Sequence, residues 1–514
     1  MGAYLMAVDI GTTGANAMLF DAEGKAFGSA YREYPLIYPE EHHVEQDAAL
    51  LAGSAFEVCR EALRQSQVDP LQVLAVSVSS QRATFGLLDG NSNVIGGRFY
   101  GWQDNRALSV LPEIAAKIDP GELYQLTGMP LTPTYSLEKL VWLEKHRPDL
   151  CAQTSKVVFP ADYILFQFGA ERMFTEVTCA CCSGLIDVRR LEWSERVLTA
   201  LELDPGKFLP LVTPGTVVGK VSREASRKSG LAEGTLLVCS TGDQQAAAIG
   251  AAVIDEGRAS LTLGTAGLLV AGTRQLELSK SPGLMAVSSG RVGLYELEGI
   301  QLGAASCYRW IRDTFFDAAV TGIAKSEWPE NLYHRMERLL TASRPGANGI
   351  VFLPYLAGGG YPLWDPLASG MFAGLRFAHT AADLMRAVVE GVVLESFDMY
   401  QHMKTAGVTI SSLAVTGGAT ESTVWKQTIA GVFGMEILPL QVPNATLIGS
   451  AIFAGIGAGV FRDVEEGVAR TVRFAEPVRP DPAQVAVFQH RYESYKQLGS
   501  RASLERTTGI QLGN

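Results

Sequence analysis

Two short segments with the same β-turn-β pattern, one near the start of the chain and one near its middle, restrict the possible folds more than any other feature. The first has β-type residues at 4–8 and 15–20 around Asp9-Ile10-Gly11-Thr12-Thr13-Gly14, and the second has them at 259–263 and 268–271 around Gly264-Thr265-Ala266-Gly267. Short β-rich runs on both sides of a Gly/Thr turn predict hairpins. Their repetition predicts two domains of related design.

Segments with helical periodicity alternate with short apolar strands along the 514 residues. The predicted helices include 48–65, 137–145 and 381–403, and the predicted strands include 73–79, 236–240 and 413–416. This mixture predicts an α/β protein. We place an N-terminal domain at 1–250, a C-terminal domain at 251–485 and a polar tail with a frayed end at 486–514.

The composition argues against several classes of protein. The formal net charge is −11 and no run of Lys or Arg stands out, which argues against nucleic-acid binding. No stretch of about 20 uncharged apolar residues is present and the N-terminus lacks the basic region of a signal peptide, so we expect no membrane span and a cytoplasmic protein. The seven cysteines are scattered, which favours small buried thiols over disulfides or a metal site.

The first turn has the residues of an anion-binding loop. Gly11 lets the backbone approach a phosphate closely, and Thr12 and Thr13 add hydroxyl donors to the N–H groups of the turn. The carboxylate of Asp9 would repel phosphate, so it fits such a site only beside a bound Mg²⁺ or its waters. A strand follows the turn and no Lys is present, so it is neither a Walker A loop nor a dinucleotide fingerprint. A plain hairpin turn is the alternative.

Two further glycine turns lie in the second half. Gly264 and Thr265 repeat the first turn, and two such turns facing each other across a cleft would clamp the phosphates of a nucleotide from both sides. Gly417 and Gly418 stand between a strand and a helix predicted to start near Ser422, an arrangement that accommodates an anion or a flat base. Each turn taken alone is also compatible with a purely structural role.

Asp243 is the candidate catalytic base. It ends an apolar strand in Ser240-Thr241-Gly242-Asp243-Gln244-Gln245, where a carboxylate accepts the proton of a substrate hydroxyl and the neighbouring amide of Gln244 holds other hydroxyls. The alternative is a helix cap.

A polar group in the first half is suited to a polyol. Gln81 and Arg82 follow a strand, and Asp104 lies in Trp102-Gln103-Asp104-Asn105-Arg106. Arg, Gln and Asp bind hydroxyls through paired hydrogen bonds, while Trp supplies an apolar wall. A surface ion pair beside a packed aromatic ring is the alternative.

These residues resemble the FGGY family of carbohydrate kinases over residues 4–460. The match is most specific at Gly370-Met371-Phe372-Ala373-Gly374-Leu375 with 383–390, and 136–146 nearly meets a second family pattern, although Thr134 departs from it. The resemblance implies two actin-like (ribonuclease H-like) ATPase domains around a central cleft that binds ATP with Mg²⁺ and a small sugar or polyol.

The resemblance also implies roles for single residues. The first phosphate loop would contain Asp9 and Gly11 to Thr13, and Gly264-Thr265 would form the second. The adenosine site would border Gly417-Gly418, although Ala419 replaces a common third glycine. Asp243 would be the general base, with Gln81, Arg82, Asp104 and Gln244 near the sugar. Dimers are frequent among such proteins, so a homodimer is an expectation.

The resemblance does not identify the substrate, because the residues after Gln81 match neither xylulokinases nor glycerol kinases fully. Xylulokinases have Met-His after the equivalent of Gln81 and glycerol kinases have Arg-Glu, whereas this chain has Arg82-Ala83. Ala83 removes a polar partner from the expected sugar site. D-xylulose is the leading substrate, with glycerol, ribulose and gluconate as alternatives. An actin-like ATPase acting on a protein partner and a sugar-binding regulator without kinase turnover are the other two hypotheses.

Overall fold

The computed structural model describes residues 2–280, 282–315, 332–365, 367–442 and 444–507. The chain forms two compact units, and each unit contains several separate stretches of sequence. The first unit comprises Met1–Glu256, Gly272–Leu297 and Asn444–Val472, and the second comprises Gly257–Ala271, Glu298–Pro443 and Arg473–Asn514. The predicted division at residue 250 therefore differs from the observed one, because two later stretches pack with the N-terminal part of the chain.

The first unit is built around a six-stranded sheet. The strand order across this sheet is Val217–Lys220, Leu236–Gly242, Val73–Ser80, Tyr4–Ile10, Gly14–Asp21 and Ala26–Glu33. The other strands of this unit are Glu45–Asp47, Phe85–Leu88, Val94–Tyr100, Lys156–Val158, Thr175–Glu176, Ile186–Asp187, Glu192–Trp193, Leu211–Val212 and Met285–Ser288. Its α-helices are Ala48–Ser66, Leu111–Lys117, Pro120–Thr127, Ser136–His146, Pro148–Gln153, Pro160–Phe168, Val177–Cys181, Glu195–Ala200, Arg223–Ser229, Asp243–Gly250, Ala445–Gly457 and Val464–Thr471.

The second unit repeats this design. The strands that lie wholly or mostly in this unit follow one another in its sheet in the order Tyr295–Gln301, Gly267–Thr273, Arg258–Leu263, Ser412–Thr416 and Ile437–Pro439. Val351–Leu353 pairs with Met371–Ala373 in a separate two-stranded sheet. The helices of this unit are Ala305–Phe315, Leu332–Ala342, Ala381–Thr405, Thr423–Phe433 and Pro482–Thr507.

Both predicted hairpins are confirmed. Tyr4–Ile10 pairs antiparallel with Gly14–Asp21, as Arg258–Leu263 does with Gly267–Thr273. In each unit the first strand of the hairpin also pairs in parallel with a later strand, Val73–Ser80 or Ser412–Thr416. The repeated turn pattern in the sequence therefore reflects a repeated sheet topology, and the α/β prediction is confirmed.

A close helix contact explains why 444–472 belongs to the first unit. Gly449 lies directly against the backbone carbonyl of Ala246, and Gly250 lies in the same way against that of Ala445. A Cβ atom at either glycine would overlap those carbonyls, so only glycine permits this approach. The contact fixes Ala445–Gly457 against Asp243–Gly250, the helix that begins with the candidate base.

The predicted polar tail is wrong up to residue 507. Residues 482–507 form a helix, and Phe488 and Tyr495 on it are buried. The hydroxyl group of Tyr495 lies 3.0 Å from that of Tyr355. Two buried aromatic side chains seven residues apart lie on one face of a helix. The average polarity of the segment does not indicate such a spacing. Residues 508–514 lie outside the described part of the chain.

All seven cysteines are buried, and none of them forms a disulfide bond. Among the residues that the structure describes, no helix is both long and apolar enough to cross a membrane. The same residues contain no cluster of three or more His, Cys, Asp or Glu side chains with metal-binding geometry.

Candidate active site

Three neighbouring parallel strands bring the candidate residues of the first unit together. Tyr4–Ile10 pairs in parallel with Val73–Ser80, which pairs in parallel with Leu236–Gly242. Asp9 lies opposite Ser79 in this register, and Gly242 lies opposite Ser80. The carboxyl ends of parallel strands meet at one edge of a sheet, which is where α/β proteins bind ligands.

Asp243 lies at this edge and forms an ion pair. Its Oδ1 atom is 3.3 Å from Nε of Arg82, and the side chains of Asp243 and Arg82 are 24% and 11% exposed, respectively. Asp243 is the first residue of the helix Asp243–Gly250, and Gly242 occupies the N-cap position without a side-chain cap. The same Oδ1 accepts a hydrogen bond of 2.8 Å from the N–H of Gln244, a half-buried residue. The helix-cap explanation therefore does not account for the contact with Arg82.

The turn formed by Gly11, Thr12 and Thr13 is held by its carbonyl oxygens. Tyr34 donates its hydroxyl to Gly11 O at 2.6 Å and its N–H to Thr13 O at 3.0 Å. Thr12 O accepts from Nε2 of Gln46 at 2.6 Å. The N–H groups of Thr12 and Thr13 make no hydrogen bond with any described residue. The turn therefore offers N–H groups to an anion, as a phosphate loop requires.

The side chain of Trp102 makes a contact that the sequence does not predict. Its Nε1 donates to Oγ1 of Thr12 at 2.8 Å, so the indole supports the turn at Gly11–Thr13, and its role as an apolar wall for a sugar stays a prediction. Neither this contact nor those of Tyr34 and Gln46 was predicted, since each joins residues far apart in the chain.

Asp9 is an acid whose pKa is strongly shifted. Burial raises the pKa of Asp9 to about 7, and the negative charge of Asp243 adds to the rise, while the hydrogen bond from Ser79 Oγ at 2.8 Å lowers it. Asp243 is paired with Arg82, whereas Asp9 forms no ion pair with any described residue. An acid placed like Asp9 fits a Mg²⁺ ion, which is bound in proteins by one or two carboxylates together with substrate phosphates.

Gln81 is buried and oriented by its amide nitrogen. It is 2% exposed, and Nε2 donates to Oε1 of Gln46 at 2.6 Å. Its Oε1 atom has no hydrogen-bond partner among the described residues. A buried acceptor without a partner is costly, and a hydroxyl donor from a ligand or water would satisfy it.

Asp104 is held by hydrogen bonds to neighbouring protein groups. It is fully buried, and its oxygens accept from Nε and Nη2 of Arg106, each at 2.8 Å, and from the N–H of Val44 at 2.6 Å. Arg106 also binds Glu45 at 2.7 Å. A carboxylate engaged in this way has no surface to present to a sugar, so Asp104 holds its own loop in place and the predicted direct contact is not supported.

The glycine turns of the second unit lie side by side. Thr265 O accepts from Ala304 N at 3.0 Å and from Ser306 Oγ at 2.7 Å, which fixes the turn before the helix Ala305–Phe315. A Cβ atom added to Gly417 would lie 2.5 Å from Leu263 O, directly before Gly264. A short 3₁₀ turn, Gly418–Glu421, separates the strand from the helix Thr423–Phe433, which Ser422 caps. The side chain of Ala419 lies outside the described residues.

The turn before Asp243 is held by a buried acid. The N–H of Gly242 donates to Oγ1 of Thr178 at 2.9 Å, and Thr178 Oγ1 donates to Glu176 at 2.6 Å. Burial raises the pKa of Glu176 to about 7, and burial together with the charge of Glu176 raises the pKa of Asp162 well above its ordinary value. The ionised form of Glu176 is therefore disfavoured in the folded protein.

The variant Glu176→Gln is expected to gain stability relative to the wild type as the pH rises from about 4.5 to about 7. Over this window the folded wild type binds more protons than the unfolded chain, so its free energy of unfolding falls with rising pH, whereas the amide does not titrate. The difference in the free energy of unfolding between the variant and the wild type is expected to change by about 1–3 kcal/mol over this pH range. Urea unfolding at pH 5 and pH 8 measures it, and a constant difference would contradict the shift.

Comparisons with known proteins agree with this geometry. The N-terminal domain of the FGGY family of carbohydrate kinases matches residues 4–250, and its C-terminal domain matches residues 259–458. The chain is 25% identical to a xylulose kinase of Bacillus subtilis over 495 residues, 96% of each protein. It is 30% identical to a glycerol kinase of Dechloromonas aromatica over 496 residues, 94% of this chain and 95% of the relative. A gluconate kinase structure from Lactobacillus acidophilus has the same fold, with a TM-score of 0.88, 24% identity and coverage of 98% and 99%.

The two-unit α/β fold and these matches define a carbohydrate kinase, a phosphotransferase that acts on a sugar or polyol. The chain belongs to the FGGY family of carbohydrate kinases.

Proposed function

We propose that this kinase uses ATP to phosphorylate a hydroxyl group of a small sugar or polyol, with Asp243 as the general base. The observation that carries the proposal is the Asp243–Arg82 pair at the carboxyl edge of the sheet, beside Asp9 with its raised pKa. Phosphoryl transfer needs a base that orients a hydroxyl and groups that stabilise the phosphates. This edge offers the Asp243 carboxylate for the first task and the N–H groups of Thr12 and Thr13 for the second.

The chemistry follows from these positions. Asp243 accepts the proton of the substrate hydroxyl while the hydroxyl oxygen forms a bond to the γ-phosphorus of ATP. At the same time the bond from the γ-phosphorus to the oxygen of the leaving ADP breaks. Arg82 orients the carboxylate, and Oε1 of Gln81 is a buried acceptor suited to a second hydroxyl. The N–H groups of Thr12 and Thr13 bind phosphate oxygens.

A metal ion is expected beside Asp9, and the glycine turns of the second unit are expected to bind nucleotide. A Mg²⁺ ion held through Asp9 would neutralise charge on the phosphates. The turns at Gly264-Thr265 and Gly417-Gly418 contribute to nucleotide binding, in keeping with their direct contact in the second unit.

D-xylulose is the leading substrate. Xylulose kinases are among the relatives that match over nearly the whole chain, although the glycerol kinase of Dechloromonas aromatica matches at higher identity. Ala83 follows Arg82, is 4% exposed and has a positive φ of 55°, so this position offers no polar side chain. A binding site selects its substrate through the hydroxyl groups with which it can form hydrogen bonds. Glycerol has fewer hydroxyl groups than D-xylulose, ribulose or gluconate.

A substrate panel tests the proposal. ADP release is measured with ATP, Mg²⁺ and D-xylulose, ribulose, gluconate or glycerol, and we expect D-xylulose to give a kcat/KM at least about 10²-fold above that of glycerol. A higher value for another of these compounds replaces the named substrate and leaves the kinase proposal intact. Sugar binding without ADP release indicates a regulator, and ATP turnover that no sugar changes indicates an ATPase acting on a protein partner.

A further inference from the structure

We propose that Gln245 and Glu296 are positioning residues that hold Arg82 in the orientation in which it contacts the catalytic base. The inference rests on the proposed role of Asp243. Neither residue was assigned a role from the sequence. Gln245 lies in the segment that contains Asp243. Glu296 lies 51 residues further along the chain, on the strand Tyr295–Gln301, in the part of that strand that belongs to the first unit.

The four side chains form a continuous chain of polar contacts. Glu296 Oε2 accepts from Nε2 of Gln245 at 3.1 Å. Oε1 of Gln245 accepts from Nη1 of Arg82 at 3.3 Å, and Nε of Arg82 lies 3.3 Å from Asp243. The guanidinium group thus contacts the base through Nε, and through Nη1 it contacts the amide of Gln245 and the Sγ atom of Cys182, the latter at 3.2 Å.

Glu296 determines which way the amide of Gln245 faces. An amide offers donors on its nitrogen and an acceptor on its oxygen, and a carboxylate accepts only from the nitrogen. With the nitrogen held by Glu296, the oxygen faces Arg82, whose guanidinium only donates. Without Glu296 this hydrogen bond is lost, and an amide turned the other way would present its NH₂ group to the guanidinium and push Arg82 away from Asp243.

Because Gln245 and Glu296 are buried, loss of a contact between them is costly. Gln245 and Glu296 are both 0% exposed, so water is not at hand to replace a lost contact. Hydrogen bonds to charged groups are stronger in such surroundings, and an unsatisfied buried group is costly. The signal available in the sequence was a pair of acids, Glu296 and Glu298, in a short β-type run, and both are fully buried in the structure.

The experiment compares Glu296→Leu, which removes the acceptor at similar size, with Glu296→Gln, which keeps one. We expect Glu296→Leu to lower kcat about 10- to 100-fold and to raise the KM for the sugar while the KM for ATP stays unchanged, because displaced groups near the reacting atoms lose that much rate. Glu296→Gln is expected to stay within about 5-fold of the wild type, since its carbonyl still accepts from Gln245.

A double mutant and a control separate positioning from folding. Adding Glu296→Leu to Arg82→Ala is expected to lower kcat/KM no further, since both changes act through one chain of contacts. Glu390→Gln alters another buried acid, bonded to Arg386 at 2.9 Å, and is expected to affect stability with both KM values unchanged. Should Glu296→Leu not fold, Gln245→Met removes the same link.

The outcomes distinguish this inference from the proposed function. If Asp243→Asn is inactive while folded Glu296→Leu or Gln245→Met keeps wild-type kcat and sugar KM, the positioning role is wrong and the base stands. An equal fall in kcat for Glu296→Gln and Glu296→Leu, matched by loss of folded protein, also overturns it. Full activity of Asp243→Asn overturns the proposed function itself.

Discussion

Replacing Asp243 by Asn is expected to lower kcat by about 10²- to 10⁴-fold, the range that general base catalysis contributes. The amide is close to the carboxylate in shape but accepts a proton far more weakly. Binding of ATP should change little, because the phosphate turn at Gly11–Thr13 is held by Tyr34, Gln46 and Trp102 rather than by Asp243. Single-turnover measurements at saturating sugar and ATP determine the chemical step, and titration with nucleotide determines its Kd.

The matched control is Asp255→Asn in the same unit. Asp255 is an exposed acid that pairs with Arg274 at 2.8 Å, and it contacts none of the candidate site residues in the described structure. Its variant should retain wild-type kcat. An Asp243→Asn protein that turns over as fast as the Asp255→Asn protein would rule out Asp243 as the base, whatever its position at the sheet edge.

Local patterns made much of the fold predictable. The hairpin strands and the helix Ala381–Thr405 were found within a few residues of their observed ends, because alternating or helical spacing is a property of neighbouring residues. The meeting of Asp9, Arg82 and Asp243 was also foreseeable, since each follows or ends a strand. The return of Asn444–Val472 to the first unit was not, because the contact of Gly449 with Ala246 joins distant residues.

The sequence does not predict which partners the polar side chains of the site bind by hydrogen bonds. Asp104 and Gln81 were both predicted to touch a sugar, yet Asp104 is saturated by Arg106 and Val44, and Gln81 retains an acceptor without a partner. Residue type indicated a polar site in both cases. Only the geometry separates the residue that supports a loop from the one that can still bind a ligand.

The variant Gly417→Ala is expected to weaken nucleotide binding. Gly417 has a φ of 91°, which an L side chain adopts at a cost of about 1–2 kcal/mol. Its new Cβ would also lie 2.5 Å from Leu263 O, so the strand end that carries Gly264 and Thr265 must shift. The clash adds about 1–3 kcal/mol to the loss of stability. If both turns bind the nucleotide, the KM for ATP should rise at least about 10-fold, while the KM for the sugar stays near its wild-type value.

Gly407→Ala isolates the part of this effect that comes from the backbone alone. Gly407 has a similar φ of 86°, but a Cβ atom there would meet nothing within 4 Å. Its variant should therefore lose only about 1–2 kcal/mol of stability and keep its KM for ATP. Thermal unfolding and initial rates over a range of ATP concentrations give both quantities for the two proteins.

Equal effects at the two positions would mean that the contact between Gly417 and Leu263 does not matter for the nucleotide. A rise in the ATP KM confined to Gly417→Ala would connect the two glycine turns of the second unit to one ligand.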